Sequence, residues 1–588
     1  MDKTINIIET DVLVIGGGLA GCWAAIRAKE ITDNVLLVDK SRIGKSGMSY
    51  FAAGVLVYWT PEDSIDPWMR EIAEGGAYLN DQKWLEVVLR ENYPRINEMD
   101  EWSGGRLFEK DAGGRIERIK GRGHQDTRIV MFHGPELMDV MRKQIRKRKI
   151  RAMDRIMITD LLTLDGYLPT KGFVTGAVGL HTRTGDCVVI KAKATVLANG
   201  GADSKPGGHY CMNITGDSYA MAYRAGAEMT GMEFMPMGNL SVWNRKYHTV
   251  GINMIQSYGM KLINNRSEPF LEKYEPVLKD RSHLYTLAQA MAKEALEGRG
   301  PIYADMRSFT PAVIEKFKRV IPKFMRIFED AGIDITKELV EVTPGIRMKN
   351  SICTSGARIL DLTARSSIAG LYCAGAASKA PSHGGDEGVG GFNLPYCNVS
   401  GYRAGENAAL YAKEMIRKVT DINMDQVDTL RGSMYAPLYR KEGMMPDEIF
   451  EKLNKIYIPA KFSIFKNAER IRSVLDEVRQ VEEIDLPRLK APDAHELVKA
   501  LEAVNLVTTA KLAYSASLSR EESRTYHYRE DFPYRDDIHW LKWVIIKRGE
   551  NSEMEISTKN VPLEDYPVKP DKMKVTRAAI QMNIQEGI

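Results

Sequence analysis

The segment Val12-Leu13-Val14-Ile15-Gly16-Gly17-Gly18-Leu19-Ala20-Gly21 predicts the fold, because it runs from an apolar strand through a tight turn into a helix. Gly16 permits the turn, Gly18 lets the backbone approach phosphates, and Gly21 lets the helix, predicted over residues 22–29, pack on the strand. The N-terminus of that helix faces the anion. This order predicts a Rossmann-type α/β domain that binds the pyrophosphate of a dinucleotide.

A second strand supports this interpretation. Val35-Leu36-Leu37-Val38 ends in Asp39, about twenty residues after the glycines, where an acid can bind an adenosine ribose hydroxyl. The small-residue loop 40–49 then leads into residues 50–54, and such loops let a flat ligand lie against the main chain. A glycine-rich turn that holds no ligand is the alternative interpretation of the first segment.

Length and composition indicate a large globular protein. The chain has 588 residues and 44% hydrophobic content, and we expect two to four domains because single cores stop growing near ~250–300 residues. No apolar run approaches the ~20 residues of a membrane span, and no signal-peptide core is evident. We therefore expect a cytoplasmic protein, with any membrane association made through a partner.

Cysteine spacing and net charge exclude two classes of site. The six cysteines show no CxxC pair and no Cys/His pair at metal-ligand spacing, so we expect no metal site in this chain. A net charge of +4 is too small to indicate nucleic-acid binding. The basic stretch 142–151 is interpreted as the solvated side of a helix.

The remaining pattern predicts helices around a sheet. Residues 64–102 have apolar residues at helical spacing, and Gly134-Pro135-Glu136-Leu137 opens another helix. The apolar series 156–201 predicts a small β layer that returns the chain to the main sheet. Residues 447–516 lack glycine and predict a helical region, and Val544-Ile545-Ile546 begins a predicted hairpin.

Several separated motifs in one order resemble a known family. GGGLAG, VDK, KSG, ATVLANGGA and Ile214-Thr215-Gly216-Asp217 are similar to the flavoprotein subunits of the succinate dehydrogenase/fumarate reductase family, which includes L-aspartate oxidase and the adenylylsulfate reductase α subunit. Residues 269–276, 370–375 and 519–537 extend the resemblance over nearly the whole chain. KSG, His133-Gly134 and residues 300–303 are short matches that favour the adenylylsulfate reductase branch.

The resemblance implies an α/β fold with a discontinuous Rossmann-type FAD-binding domain, over residues 1–235 and 350–429. An α+β capping domain is expected at 236–349, a C-terminal helical domain at 430–540, and a tail at 541–588.

The resemblance also implies the cofactor and a partner. Family members with covalent flavin carry a histidine where this chain has Gly47, so we expect noncovalent FAD. An iron-sulfur electron-transfer subunit is the implied partner in a hetero-oligomer, beside a small-molecule substrate. The implied cofactor-binding residues are Gly16, Gly18, Gly21, Asp39, Lys40, Ser46, Gly47, Ala198, Gly200, Asp217, Gly375, Asn393 and Leu394.

The family's dicarboxylate site is not reproduced. Gly238, Ile252-Asn253, Leu284 and Ile352 stand where the family has a histidine, a Thr-Glu pair, the proton-donating arginine and a second histidine, and no arginine lies in 388–394. A doubly charged substrate needs such donors. We therefore expect that fumarate, succinate and aspartate are not substrates.

Two residues are the predicted catalytic groups. His383 occupies the place of a family histidine and could donate a proton or contact an anion, unless it only hydrogen-bonds within its glycine-rich loop. Arg281 lies three residues before the position of the missing arginine, and a small gap would make it an anion-binding group. The alternative for Arg281 is a surface ion pair with Asp280.

One flavin contact also changes. Ala376 stands at the family's acidic ribityl contact, and Asp386 or Glu387 could replace that acid. Weaker candidates for the pocket wall are Trp243, Arg245, Lys349 and Asn350.

These observations favour an FAD-dependent oxidoreductase subunit whose substrate meets the flavin between the FAD-binding and capping domains. Its substrate could be a sulfur oxyanion or nucleotide, as in the adenylylsulfate reductase branch, or an activated unsaturated acid other than a dicarboxylate. The alternatives are an electron-relay subunit without its own substrate and an FAD-free structural protein.

Overall fold

We analysed a computed structural model that describes residues 7–52, 54–121, 123–206, 211, 213–237, 241–243, 248–250, 255–256, 258–344, 347–348, 352–415, 422–578 and 580. The strands are β1 (Ile7–Ile15), β2 (Val35–Asp39), β3 (Val55–Val57), β4 (Ile129–Met131), β5 (Arg151–Asp154), β6 (Ile156–Thr163), β7 (Val174–His181), β8 (Cys187–Leu197), β9 (Met229–Thr230), β10 (Pro236–Met237), β11 (Ser241–Trp243), β12 (His248–Val250), β13 (Lys261–Ile263), β14 (Ile302–Asp305), β15 (Val340–Thr343), β16 (Arg347–Met348), β17 (Gly356–Ala357), β18 (Leu371–Cys373), β19 (Tyr534–Asp536), β20 (Lys542–Arg548), β21 (Met554–Asn560) and β22 (Val575–Arg577).

The helices alternate with these strands in the first half of the chain and dominate residues 393–519. They are α1 (Leu19–Lys29), α2 (Ile65–Gly75), α3 (Gln82–Trp102), α4 (Gly134–Lys147), α5 (Asp217–Arg224), α6 (Leu271–Tyr274), α7 (Leu284–Glu294), α8 (Pro311–Val320), α9 (Pro322–Ala331), α10 (Asn393–Glu414), α11 (Met424–Tyr439), α12 (Pro446–Tyr457), α13 (Ala460–Ser463), α14 (Ala468–Gln480) and α15 (Ala494–Ser519).

The main sheet has the strand order β5-β2-β1-β8-β7-β6, and β18 also pairs with β8. Its central strand β1 runs parallel to β2 and β8. Val12, Leu13 and Val14 are fully buried, as expected for a parallel strand covered on both faces. The apolar run at the start of the quoted segment therefore lies at the middle of the sheet, and its carboxyl end presents the glycine turn.

The predicted small β layer over 156–201 is formed by β6, β7 and β8 and is continuous with the main sheet. Strands β6, β7 and β8 belong to the main sheet itself, because β8 pairs with β1 along one edge and with β7 along the other. The eleven-residue length of β8 lets its second edge pair with β7 at residues 187–191 and with β18 at residues 195–197. The hairpin β7-β8 thus extends the dinucleotide sheet instead of covering it.

Helix α10 brings the later part of the FAD-binding sequence to the glycine turn. It packs along α1, and Gly401 and Gly405 make this possible because a Cβ at either position would collide with the carbonyl oxygens of Ala20 and Ala24. Glycines at a helix contact let two backbones approach closely. This packing places Gly401 beside Ala20, so the first two turns of α10 extend beyond the start of α1.

The described residues between 241 and 343 form a second layer. An antiparallel sheet of order β12-β11-β15-β14-β13 packs with α7, α8 and α9 around a core that includes Leu262, Met291 and Phe317. A cluster of buried residues separate from the main core is what an inserted domain requires.

The C-terminal region is helical, as the spacing of its apolar residues predicted. Helices α12, α14 and α15 pack together through buried apolar residues, as predicted for 447–516. The predicted hairpin is confirmed as β20 and β21, which pair from Lys542 to Asn560. Strand β20 also pairs with β9. The tail thus adds β20 and β21 to β9 and β17 of the FAD-binding part of the chain, which gives a four-stranded sheet. No helix within the described ranges is long and apolar enough to cross a membrane.

Candidate cofactor and substrate site

Packing excludes a side chain at Gly16 and Gly21, whereas Gly18 has room for one. Gly16 has a φ of +110°, and a Cβ there would collide with the backbone of Ala198. A Cβ at Gly21 would overlap the carbonyl oxygen of Gly16. At Gly18, the nearest atom to a Cβ would be Ser49 Oγ at 3.6 Å. The turn therefore leaves room for a ligand above Gly18 and no room at the other two positions.

A cavity runs along this turn and is lined by residues from both parts of the FAD-binding sequence. All the predicted cofactor-binding residues line it except Gly21, which lies beneath the turn. A cradle of backbone next to a helix N-terminus, with no side-chain cap on α1, is suited to a pyrophosphate. The donor set and shape fit a dinucleotide such as FAD.

Asp39 shapes the turn as well as lining the cavity. Its Oδ2 accepts a hydrogen bond from the Gly17 N–H at 2.8 Å, and its Oδ1 accepts one from the Ser41 N–H at 2.7 Å. Burial raises the pKa of Asp39 above its ordinary value, while these two hydrogen bonds oppose that rise. The carboxylate thus ties β2 to the glycine turn.

Lys40 is held in a buried ionic network. Its Nζ donates to Asp217 Oδ2 and Glu502 Oε1, each at 2.8 Å, and to Thr215 Oγ1 at 2.9 Å. Burial alone would lower the pKa of Lys40, but the two carboxylates outweigh burial and raise it. Lys40 and Asp217 therefore line the cavity as an ion pair.

Helix α15 supports this end of the cavity from behind the lining residues Lys40 and Asp217, a contact that sequence reasoning missed. Glu502 lies on α15, as does Asn505, whose side-chain amide donates to Asp217 Oδ1 at 3.0 Å. Lys205 also contacts Glu502, at 3.2 Å. No local signal marks Glu502, because its helix has the pattern of an apolar core stripe and Lys40 is 462 positions away.

We expect Glu502→Gln to weaken FAD binding about tenfold. The neutral amide leaves Lys40 with one carboxylate instead of two, and a hydrogen bond to a charged group contributes ~1.5–3 kcal/mol. The dissociation constant of FAD, measured by fluorescence on the reconstituted chain, checks this. Glu482→Gln removes a partly exposed ion pair with Lys511 on the same helix and should leave that constant unchanged.

The N-terminal turn of α10 forms another part of the wall. Asn393, Leu394 and Cys397 line the cavity from the start of this helix, which has no side-chain cap. The first N–H groups of a helix carry partial positive charge. This end of the cavity therefore favours a ligand group that holds or gains negative charge.

The wall contributed by other segments is mostly apolar. Leu284, Ile352, Val55 and Ile129 line it, together with the carboxyl group of Glu387. Lys40 is the cationic side chain among the lining residues that the structure describes. It is already paired with Asp217 and Glu502.

His383 is fully buried and does not line the cavity. Its ring stacks on Phe392 with centroids 5.3 Å apart, and its Nδ1 lies 3.1 Å from Ser382 Oγ. Burial lowers the pKa of His383 well below its usual range, with a further contribution from Lys379. The imidazole is neutral at pH 7, and its predicted role as a proton donor stays a prediction.

Arg281 is exposed and lies behind the cavity wall. Its guanidinium donates to the carbonyl oxygens of Gly121 and His124, both at 3.2 Å. The alternative surface pair with Asp280 is not formed, because Asp280 Oδ1 accepts the N–H of Leu262 at 2.7 Å. Arg281 supports the loop that contains Gly121, a lining residue, and its anion-binding role stays a prediction.

The two candidate replacements for the acidic ribityl contact, Asp386 and Glu387, lie in different surroundings. Ala376 and Glu387 both line the cavity, whereas Asp386 Oδ2 faces His283 Nδ1 at 3.5 Å. Glu387 is therefore the candidate that the geometry retains. Gly238, Ile252-Asn253, Arg245, Lys349, Asn350 and the side chain of Trp243 lie outside the described residues.

Comparisons with known proteins agree over nearly the full length. The FAD binding domain model matches residues 11–392, and the fumarate reductase flavoprotein C-term model matches residues 451–575. A fumarate reductase (CoM/CoB) subunit of Methanothermobacter marburgensis is 30% identical, covering 92% of this chain and 98% of that protein. The succinate dehydrogenase flavoprotein subunit of Rickettsia conorii is 25% identical, covering 96% and 97%.

Solved structures show the same fold. A variant of E. coli quinol fumarate reductase FrdA superposes with a TM-score of 0.83 at 20% identity, covering 97% of this chain and 99% of that one. Adenylylsulfate reductase from Archaeoglobus fulgidus gives a TM-score of 0.73 at 20% identity, covering 95% and 97%. The predicted fold class, a Rossmann-type FAD-binding domain with a C-terminal helical domain, is confirmed.

Proposed function

The chain belongs to the FAD-binding flavoprotein family of succinate dehydrogenase and fumarate reductase, and on this premise we propose that its substrate is not a C4 dicarboxylate. The chain is an FAD-dependent oxidoreductase, as the resemblance predicted. In the proposal it oxidises or reduces a less anionic or larger molecule and exchanges electrons with an iron-sulfur subunit.

The composition of the cavity wall carries this proposal. Two carboxylates can leave water only when cationic or hydrogen-bond donor groups replace their hydration. The described wall near Leu284 and Ile352 is apolar and adds an acid, Glu387. Away from the start of α10, such a wall offers a dianion no unpaired cationic side chain among the described lining residues, and it favours an uncharged or apolar reacting group.

Bound FAD supplies the two-electron chemistry. The backbone of Gly16 and Gly18 would hold the pyrophosphate, and Asp39 with the Lys40 network would hold the adenosine end. The start of α10 would face the electron-accepting part of the cofactor. The apolar side chains exclude water from the place where the substrate would react.

The proposed iron-sulfur partner is inferred from the names of the relatives. Two of the relatives are named as subunits, of a fumarate reductase and of a succinate dehydrogenase, so those proteins are parts of assemblies. We extend this to the present chain and assign the iron-sulfur centres to a second chain, since the sequence lacks metal-ligand cysteine spacing. Co-purification of an iron-containing polypeptide with the tagged chain tests the assignment.

Fumarate reduction is the second candidate, because the 30% identical relative belongs to a fumarate reductase. Adenylylsulfate reductase-like activity and a relay role without a substrate are further alternatives.

Flavin absorbance of the anaerobic protein separates these functions. We expect no bleaching of the oxidised form by succinate and no reoxidation of the reduced form by fumarate. Stoichiometric reoxidation by fumarate would refute the proposal. Bleaching by AMP plus sulfite, with succinate inactive, would identify the sulfur branch, and electron transfer to the partner without any substrate response would identify a relay.

We also expect all of the flavin to be released when the protein is denatured. Gly47 stands where family members with covalent flavin carry the histidine that attaches it. The side chain of glycine is a hydrogen atom, so this position has no nucleophile. Acid precipitation followed by absorbance of the supernatant measures this, with a flavin-linked peptide on mass spectrometry as the contrary result.

A further inference from the structure

Strand β21 is the outermost strand of the sheet that it forms with β17, β9 and β20. It pairs with β20 along one edge, and no described residue pairs with its other edge. The residues from Glu555 to Asn560 are all exposed. An edge strand of this kind presents unpaired N–H and C=O groups, to which a further strand can add.

The hydrogen bonds at the two ends of the β20-β21 hairpin show which residues face this free edge. The Gly549 N–H donates to the carbonyl oxygen of Glu553 at 2.8 Å, and the Val561 N–H donates to that of Leu541 at 3.0 Å. Because bonded pairs recur at every second residue of an antiparallel ladder, the odd-numbered residues of β21 bond to β20. The residues that direct their N–H and C=O groups to the free edge are therefore Met554, Ile556, Thr558 and Asn560.

The side chains of β21 are complementary to those of a second, antiparallel copy of the strand. Glu555, Ser557 and Lys559 share one face of β21, since alternate residues of a strand point the same way. When Ser557 lies opposite Ser557 of the second copy, Glu555 of each copy lies opposite Lys559 of the other. Opposite charges that face each other across two strands stabilise their pairing.

The same register satisfies the backbone. It places Met554 opposite Asn560 and Ile556 opposite Thr558, so outward-facing residues meet only outward-facing residues. Opposed residues of this kind exchange two N–H···O=C hydrogen bonds. A displacement by one residue would set them against residues that already bond to β20, and these hydrogen bonds would be lost. The backbone and the charges therefore select the same register, which uses the full length of β21.

The single chain leaves groups on this edge that a second copy would complete. Lys559 is exposed and makes no ion pair within the part of the chain that the structure describes. Glu555 Oε2 lies 3.0 Å from Lys547 Nζ on β20, and beside a second copy this carboxylate would lie between two lysines. Ile556 is 40% exposed, and Thr558 of the second copy would cover it.

We propose that β21 is the docking surface for a second copy of this chain, and that the two copies of β21 pair antiparallel about a two-fold axis at Ser557. The four-stranded sheets of the two copies then join into one continuous sheet of eight strands. Such an interface uses the same surface of both chains and closes on itself, so it stops at a dimer. This goes beyond the proposed function, because it concerns assembly and not the flavin site.

Charge-reversal variants test the proposal by sedimentation velocity of the purified holoprotein from ~1 to ~100 μM. We expect the wild type to change with concentration from a particle with one 66.1 kDa chain to a particle with two. Glu555→Lys leaves lysines at both positions of the pair, and Lys559→Glu leaves glutamates at both. Each variant should keep one chain per particle, because like charges then face each other. An equimolar mixture of the two variants should recover the two-chain particle, because opposite charges face each other again.

Lys337→Glu is the matched control. The Lys337 side chain is 80% exposed and lies between α9 and β15, outside β21, so this variant should sediment as the wild type does. A wild type with one chain per particle at every concentration would overturn the proposal. A mixture of Glu555→Lys with Lys559→Glu that stays at one chain per particle would overturn it as well.

Ser557→Cys gives a second readout. In the proposed register this residue faces its own copy in a non-hydrogen-bonded pair, where Cα atoms lie ~4.5 Å apart and a disulfide can form. Mild oxidation should therefore produce a disulfide-linked dimer, whereas the wild type should not cross-link because its cysteines are buried or half-buried. Thr558→Cys is the control, since this residue faces Ile556 and lies ~7–8 Å from its own copy. Equal yields of linked dimer from Ser557→Cys and Thr558→Cys would overturn the proposed pairing.

The proposed iron-sulfur subunit is the other occupant that the experiment can detect. If Lys559→Glu released the iron-containing polypeptide from a wild-type complex that holds one copy of the chain, the edge would belong to that subunit and the proposal would be wrong. None of these measurements uses a substrate, so a positive fumarate assay would refute the proposed function and leave the dimer results unaffected.

Discussion

Gly21→Ala is expected to abolish FAD binding by the purified chain. A Cβ at this position would overlap the carbonyl oxygen of Gly16, and it would lie 3.5 Å from the Ala198 Cβ. Gly16 cannot move aside, because its φ of +110° and its own contact with Ala198 fix the turn. Helix α1 would have to separate from β1, which would open the phosphate-binding cradle.

Helix propensity alone predicts the opposite effect for Gly21→Ala. Alanine in a helix interior is normally more favourable than glycine by about 1 kcal/mol, whereas a collision with backbone costs ~1–3 kcal/mol or more. We expect an increase of at least ~100-fold in the dissociation constant of FAD, which corresponds to ~2.7 kcal/mol. Flavin content after purification and a fluorescence titration with FAD measure the effect.

Gly432→Ala is the matched control. Gly432 lies within helix α11, and a Cβ there would meet no atom within 4 Å. This substitution should keep full flavin content and leave the thermal midpoint unchanged or slightly higher. If Gly21→Ala retained stoichiometric FAD with a wild-type midpoint, the assignment of α1 as the phosphate-binding helix would be wrong.

Arg520→Met should destabilise the holoprotein by about 3–5 kcal/mol, because it leaves the buried carboxylate of Glu233 without its hydrogen-bonded cation, while Glu522 keeps its pair with Arg524. Arg520 Nε donates to Glu233 Oε1 at 2.8 Å, and its Nη1 donates to Glu522 Oε1 at 2.6 Å. The side chains of all three residues are at most 1% exposed. The network joins the segment after α15 to the turn that follows β9.

The thermal midpoint of the FAD-loaded chain measures this loss. Arg90→Met is the control, because Arg90 pairs with Glu86 at 2.7 Å while their side chains are 50% and 47% exposed. Exposed pairs contribute ~0–1 kcal/mol. Similar midpoints for Arg520→Met and Arg90→Met would contradict the view that this network holds the C-terminal region in place.

Local patterns in the sequence predicted a large part of the fold. Packing of apolar residues at alternating or helical spacing determined β1, α3 and the helices from α12 to α15, since each needs only its own face to be buried. The glycine turn and Asp39 were predictable because their roles depend on backbone conformation and on a short strand-turn-helix spacing. The ordered motifs that extend to residues 519–537 then predicted FAD and the family.

The candidate site was only partly predictable. The sequence placed His383 and Arg281 near the reacting groups by their position in motifs, but the fold buries His383 against Phe392 and turns Arg281 towards backbone carbonyls. The position of a residue within a motif predicts the course of the backbone at that residue. The direction of a side chain depends on which neighbours fill the space around it.

By itself, the sequence determined the Rossmann-type turn and the helical C-terminal region, because each is written in adjacent residues. Only the tertiary structure decided that Glu502 holds Lys40 and that Asn398 of α10 accepts a hydrogen bond from Trp23 of α1. These contacts form when α15 and α10 pack against the dinucleotide sheet. Their energy comes from buried charge and hydrogen bonding between segments far apart in the chain, which no local periodicity records.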